Sequence, residues 1–311
     1  MKRLIILSLL FPLFFSCSST PREPDEVRLT RNRAAQFAGY GNAAFDRADY
    51  EQARAFFELA LTLNTSVDER EGVADMHNSI GRTWQAQGDF ETAAEQYARA
   101  EQIAQRIGST RVRALSINNQ GELNLQQGNF DQALALFETS LELFNETDSV
   151  AERAVVLHNL GSTQASSSRL DDARVLLEEA MSINRQLNRR RELAANLFML
   201  ASVESRRGNY EVALAFAEEA LDLDRAMENP RGIASDLYAL GMISFRMERM
   251  EDALDYLTRS LAVYESISSA SGMIQALSAL EDLSHATGNL EASEGFAQRR
   301  EALQTSSIRT R

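Results

Sequence analysis

Apolar and small residues recur along this chain at helical spacing, and the whole arrangement recurs again every forty residues. Gly41, Gly81, Gly121, Gly161 and Gly241 share one position of the block, with Ala201 and Glu281 in the two remaining places. Twelve residues downstream stand Ala53, Ala93, Ala133, Ala173, Ala213 and Ala253, and then Ser293. In the unit from Ala74 to Arg113, Ile80, Gly81 and Trp84 fall at positions 7, 8 and 11 of a first helix. Gly88, Asp89 and Phe90 make a turn, and Ala93, Tyr97 and Ala100 follow at positions 20, 24 and 27, on one face of a second helix. Small residues at 8, 20 and 27 let the two helices approach closely, while bulky ones at 17 and 24 fill the space between them. A unit of this size cannot bury its own apolar face and must stack on its neighbours. The pattern therefore predicts an all-α chain of seven helical hairpins, starting near residues 34, 74, 114, 154, 194, 234 and 274, in one continuous array over 31–305.

The turns carry a second regularity. Position 16 holds Asp49, Asp89, Asn129, Asn209 and Asn289, and position 18 is acidic in all seven units, from Glu51 to Glu291. An aspartate or asparagine N-cap satisfies free backbone N–H groups, and a carboxylate in the first turn meets the positive helix end, so these acids read as structural. Apolar residues at position 34, among them Val67, Ile107 and Ile267, predict a second helix that runs on by one or two turns. Glu281, Ser293 and Arg300 occupy columns that are small elsewhere, so the seventh unit reads as a solvated cap, followed by a frayed tail at 306–311.

These columns resemble the tetratricopeptide repeat (TPR), with its Leu-Gly pair at positions 7 and 8 and its alanine, aromatic and alanine at 20, 24 and 27. Leu160-Gly161 and Leu240-Gly241 keep the pair, and position 24 reads Phe57, Tyr97, Phe137, Leu177, Ala217, Leu257 and Ala297. The period of forty exceeds the usual 34 of the family, and the proline that commonly closes the unit is absent except at Pro230. The resemblance implies a right-handed α-solenoid of TPR-like hairpins whose inner, concave groove holds an extended peptide or a partner helix.

The first residues read differently. Lys2 and Arg3 precede the apolar stretch Leu4 to Phe15, which is too short to span a bilayer, and Ser16 stands before the single cysteine, Cys17. An ordinary secretory signal cut near Ser16 to Ser19 fits this layout. It also resembles a bacterial lipoprotein signal, which implies a signal peptide over 1–16 and acylation of Cys17. Pro12, Phe14 and Phe15 depart from that signal's usual pattern. The Ser/Thr/Pro-rich, charged residues that follow, 17–30, read as a flexible tether. In lipoproteins of this kind Ser18 after the cysteine implies the outer membrane, with the protein facing the periplasm.

Charge and composition narrow the chemistry. Acidic residues number 45 against 32 basic ones, a formal charge of −13 that falls by two more when Lys2 and Arg3 are removed. Such a surface repels phosphate backbones and points away from nucleic acid. Lys2 is the only lysine, which excludes a Schiff base or a GK[ST] phosphate loop in the folded part. The three histidines, His77, His158 and His285, lie in different units with no metal-ligand spacing, so the sequence calls for no cofactor or metal and points away from an enzyme. Turnover would need His158 and Glu122, a titratable pair that repeat spacing places in one groove.

On the first helix, positions 2, 5, 9 and 12 form a stripe beside the packed one. It offers Asn78, Arg82, Asn118, Glu122 and His158, then Phe198, Tyr238, Met242 and Phe245. The asparagine amides suit the main chain of an extended ligand, and the aromatic and methionine residues make an adaptable apolar platform for an amphipathic segment. The opposing reading is that these side chains bridge neighbouring helices. The sequence thus supports a membrane-anchored scaffold of the cell envelope that captures a protein or peptide partner. Known TPR lipoproteins of that kind serve outer-membrane β-barrel insertion, secretion pores or peptidoglycan enzymes. The alternative is a ligand- or peptide-responsive regulator.

Overall fold

The computed structural model describes residues 25–309, so the expected signal peptide and Cys17 lie outside the described residues. Fourteen helices and no strand occur among them: α1 (Asp25–Asp46), α2 (Tyr50–Ser66), α3 (Arg70–Gln87), α4 (Phe90–Ile107), α5 (Thr110–Gln126), α6 (Phe130–Asn145), α7 (Val150–Ser166), α8 (Leu170–Gln186), α9 (Arg190–Arg207), α10 (Tyr210–Ala226), α11 (Pro230–Arg246), α12 (Met250–Ser266), α13 (Ala270–Ala286) and α14 (Leu290–Arg309). Each odd helix packs antiparallel on the even helix after it, and each even helix on the next odd one. The result is the expected stack of seven hairpins. None of these helices is long and apolar enough to cross a membrane.

Packing follows the repeat columns. Ala53, Ala93, Ala133, Ala173, Ala213 and Ala253 are all fully buried, as are Tyr97, Phe137, Leu177 and Leu257 at position 24. A Cβ added to Gly81 would stand 2.6 Å from the Tyr97 ring, and one on Gly121 2.6 Å from the Phe137 ring, which is why glycine faces the bulky residue. Position 27 carries serine in two units, and there the hydroxyl is satisfied across the hairpin, Ser140 Oγ donating to the Ala114 carbonyl at 2.8 Å and Ser260 Oγ to that of Ala234 at 2.7 Å. In the last unit Arg300 and Glu281 pair at 3.0 Å in columns that hold only glycine, alanine or serine elsewhere, as a solvated cap requires.

The extra length of the repeat is shared differently from the expectation. Most second helices end at position 33, as at Ser66 and Ser266, while α4 includes Ile107 at position 34, and the first helices begin four residues ahead of Ala74 or Ala234. Two near-equal helices joined by near-identical turns give the chain a twenty-residue rhythm. Residues 48, 68, 88, 108 and 128, and then 168 to 288 at the same interval, all take the left-handed conformation. Each is followed by an N–H bonded to the carbonyl five residues back, as in Asp89 to Trp84 at 3.0 Å, the Schellman closure of a helix. Glycine fills five of these sites at no steric cost, whereas Ala48, Glu228 and Glu248 adopt the same φ with a Cβ present. Between α6 and α7 the closure is replaced by Ser149 N–H donating to Thr147 Oγ1 at 3.2 Å.

Three expectations need correction. Helix α1 already includes residues 25–30 of the segment 17–30 read as tether. At the other end α14 runs to Arg309, into the residues read as frayed, anchored by Leu303 on the last core cluster. The N-cap role holds for Asp49, Asp89 and Asn289, whose side chains accept from Gln52, Thr92 and Ala292. At Asn129 and Asn209 the amide instead donates backwards, to Asn124 Oδ1 and Glu204 Oε2.

Candidate binding groove

Odd helices also touch the odd helix two along, α3 with α5 and so on to α11 with α13, so they form the tighter inner layer and the even helices the outer one. The first-helix stripe therefore lines the concave side, and its two halves differ.

In the first half the polar residues bond mainly to one another, with Asn78 Oδ1 left over. Asn78 and Asn118 are each only 2% exposed. Asn78 Nδ2 donates to Ser116 Oγ at 3.0 Å, and Asn118 Nδ2 donates to Glu122 Oε1 at 2.9 Å while Asn118 Oδ1 accepts from Asn159 at 3.0 Å. Asn159 also reaches Glu122 Oε1 at 2.7 Å. These amides join α3 to α5 and α5 to α7. The expectation that they would meet the main chain of a ligand is corrected: they are mortar between repeats. Arg82 is exposed, its guanidinium 4.6 Å over the Phe45 ring. His158 hydrogen-bonds through Nδ1 to Asn196 Nδ2 at 2.9 Å, and burial pushes its pKa down to about 4. It is neutral at pH 7 and has a different partner from Glu122, so the two are not a bonded pair.

The second half is built otherwise. Phe198, Tyr238, Met242 and Phe245 are all half-buried. Tyr238, Met242 and Phe245 rest on the core cluster of the last repeats. Phe198, Ser202, Tyr238, Met242, Arg246 and Gln275 surround a hollow of about 250 Å³ on the inner side of α9, α11 and α13. Burial raises the Tyr238 phenol above its ordinary range, with Gln275 close by as a partial counterweight. Arg246 is held across the repeat joint by Ser205 Oγ at 2.6 Å. The hollow thus has aromatic and thioether walls, a fixed guanidinium at one end and open space over them.

Phe198 is shared with a second opening of about 350 Å³ between α9 and α11, floored by Asp224 and Asp236. The sequence reading passed over these two acids. Their signal was available, since neither position 31 nor position 3 holds another acid in any unit.

No group of three or more His, Cys, Asp or Glu among the described residues is placed to hold a metal. His77 bonds to Gln96 at 2.8 Å, a packing role. Residues 38–229 match the model of the MalT-like TPR region. The chain belongs to the MalT-like TPR family. No curated protein matches its sequence. Among solved structures, this MalT-like TPR chain is similar to the apo form of RapI, at 16% identity over 89% of this chain and 99% of that one, with a TM-score of 0.68. The Rap conjugation gene regulator of plasmid pLS20, in complex with the Phr* peptide, gives 18% identity over 96% and 81%, again with a TM-score of 0.68. PilF of Pseudomonas aeruginosa gives 19% identity over 80% and 96%, with a TM-score of 0.53. At these identities the likeness shows the shared TPR-type fold.

Proposed function

We propose that the protein is a membrane-tethered scaffold of the bacterial envelope that captures a protein or peptide segment on the second half of its concave face. The observation that carries this is the hollow lined by Phe198, Tyr238 and Met242, apolar surface that the inner layer leaves uncovered while the same layer is closed by hydrogen bonds in the first half. Aromatic and methionine walls suit an amphipathic segment, because they adapt to its shape and bury apolar area at small entropic cost. In this reading Cys17 carries the lipid that sets location, and the repeats supply the shape. Mechanism is then capture and positioning rather than chemistry. A second reading, a peptide-responsive regulator, is supported by the fold shared with the Rap regulator seen in complex with a peptide.

Crosslinking in intact cells followed by mass spectrometry tests capture. Wild type is expected to carry a partner that the double variant Phe198→Ala, Tyr238→Ala loses, with helical circular dichroism unchanged in both. Equal capture by the double variant excludes the hollow as the docking face. Fatty-acid labelling that is the same in wild type and Cys17→Ala removes the lipid from the account.

A further inference from the structure

Two successive inter-repeat clefts on the inner layer can be compared place by place. Between α7 and α9, Asn184 donates to Asn196 Oδ1 at 2.7 Å and Asn196 Nδ2 meets His158 at 2.9 Å, and with Glu192 alongside the space left is about 90 Å³. One repeat on, Asp224 and Asp236 stand where Asn184 and Asn196 stood, Phe198 replaces His158, and Gly232 replaces Glu192. The space grows to about 350 Å³. Asp236 is 1% exposed and Asp224 6%. Asp224 Oδ1 accepts from Asn229 Nδ2 at 3.0 Å, and the two carboxyls are within hydrogen-bonding reach of each other. Asp236 Oδ2 is buried without a donor from the protein, and the group beside it, the Asp224 carboxyl, is a second acceptor. Two acceptors side by side are costly unless a proton or a cation lies between them. Asn184 Oδ1 in the neighbouring cleft is unpaired as well, so what sets this cleft apart is its pair of carboxyls and its larger opening.

We propose that this cleft takes a lysine side chain of the segment held in the groove, its ammonium on Asp224 and Asp236 and its aliphatic stem along Phe198 and Met199. The proposal rests on the groove reading above and names a feature of the guest. The ammonium brings three donors and no acceptor, which matches a floor of acceptors. Ala194, Ala195, Phe198 and Met199 give the stem apolar walls. Arg191 on α9 and Arg231 on α11 are exposed at the mouth, where water screens them and where they meet the carbonyls of a chain passing overhead. His158 of α7, the remaining titratable group lining the cleft, is neutral at pH 7. Burial, with Asp224 beside it, raises the Asp236 carboxyl to about 8, so the empty cleft holds a proton there. Arrival of the ammonium expels that proton, whereas lysine itself stays charged to about pH 10.4.

Calorimetric titration of the full chain with the blocked pentapeptide Ala-Ala-Lys-Ala-Ala, and with its norleucine analogue, tests this. The lysine peptide is expected to bind about tenfold tighter or more, with an affinity that rises up to about tenfold per pH unit between about pH 6 and 8. The double variant Asp224→Asn, Asp236→Asn adopts the residue pair of the neighbouring cleft, so it is expected to fold and to lose both the preference and the pH slope. Equal binding of the two peptides, binding of neither, or an undisturbed preference in the double variant overturns the proposal. Tyr238→Ala separates the two readings, since Tyr238 lines only the adjoining hollow. A partner crosslinked in cells by a wild type that shows no lysine preference sinks the cleft and leaves the groove. A lysine preference without any partner adduct supports the cleft and sinks the groove.

Discussion

The two halves of the concave face are made from the same hairpin, yet one is closed and the other open. Around α3, α5 and α7 the inner positions carry asparagine, serine and glutamate, whose hydrogen bonds run from repeat to repeat through Asn78, Asn118 and Asn159. Around α9, α11 and α13 the row brings in Phe198, Tyr238, Met242 and Phe245, the joint is bridged at Arg246 and Ser205 rather than by an asparagine ladder, and openings of about 350 and 250 Å³ remain. A solenoid needs its repeat columns for stacking, but its inner row is free to vary. Where the row is polar it ties repeat to repeat, and where it is apolar it leaves surface uncovered.

The hairpins themselves sharpen this contrast. Gly121 faces Phe137 in the closed half, whereas in the open half the equivalent pairs are Ala201 with Ala217 and Gly241 with Leu257. Gly121→Ala is expected to cost about 3 kcal/mol, because the new Cβ meets a ring that is walled in. Chemical denaturation measures it, and a loss below about 1 kcal/mol means the closed half is less tightly packed than described. Next in size, Asn118→Ala takes a donor from Glu122 and an acceptor from Asn159, for about 2 kcal/mol. Phe198→Ala, by contrast, is expected to cost about 1 kcal/mol or less, since the ring lines two openings and is only half-buried. If both variants lose stability equally, the division between structural and waiting residues fails.

The acid pair gives that contrast a pH signature. The folded-state carboxyl of Asp236 is raised to about 8 from 3.8, so between those values the unfolded chain has released a proton that the folded one keeps. Its contribution to stability is therefore complete at low pH, declines as pH rises towards about 8 and then levels. Asp236→Asn is expected to flatten that decline and to raise the melting temperature at pH 8 relative to wild type. A parallel pair of curves would show that Asp236 titrates normally. The smallest expected effect belongs to the turns. Glu248→Gly relieves a left-handed residue that carries a Cβ and gains about 1 kcal/mol, without touching either half of the groove.

The hairpin count, its phase and the buried columns were legible in the sequence because packing repeats them seven times, and seven copies outweigh a local exception such as Glu281. Helix length was less so. Position 34 is apolar, yet Val67 and Ile267 lie just past the last turn, since the left-handed residue that follows fixes where the helix stops. The site was legible only as a row. Spacing placed Asn78 and Phe198 on the same stripe, but nothing in that spacing tells that Ser116 stands ready to accept from Asn78 while no hydrogen-bonding side chain meets Phe198. Asp224 and Asp236 were missed for a related reason: they come from a second and a first helix and become a pair only when one repeat stacks on the next.

Photocrosslinking from single positions in intact cells tests the central claim most directly. A photoreactive residue at Ser202, exposed beside the open hollow, is compared with one at Val175, 65% exposed on the outer helix α8. Capture on the concave face predicts a discrete partner adduct from position 202 and none from 175. Adducts of equal yield from both, or from 175 alone, would contradict it.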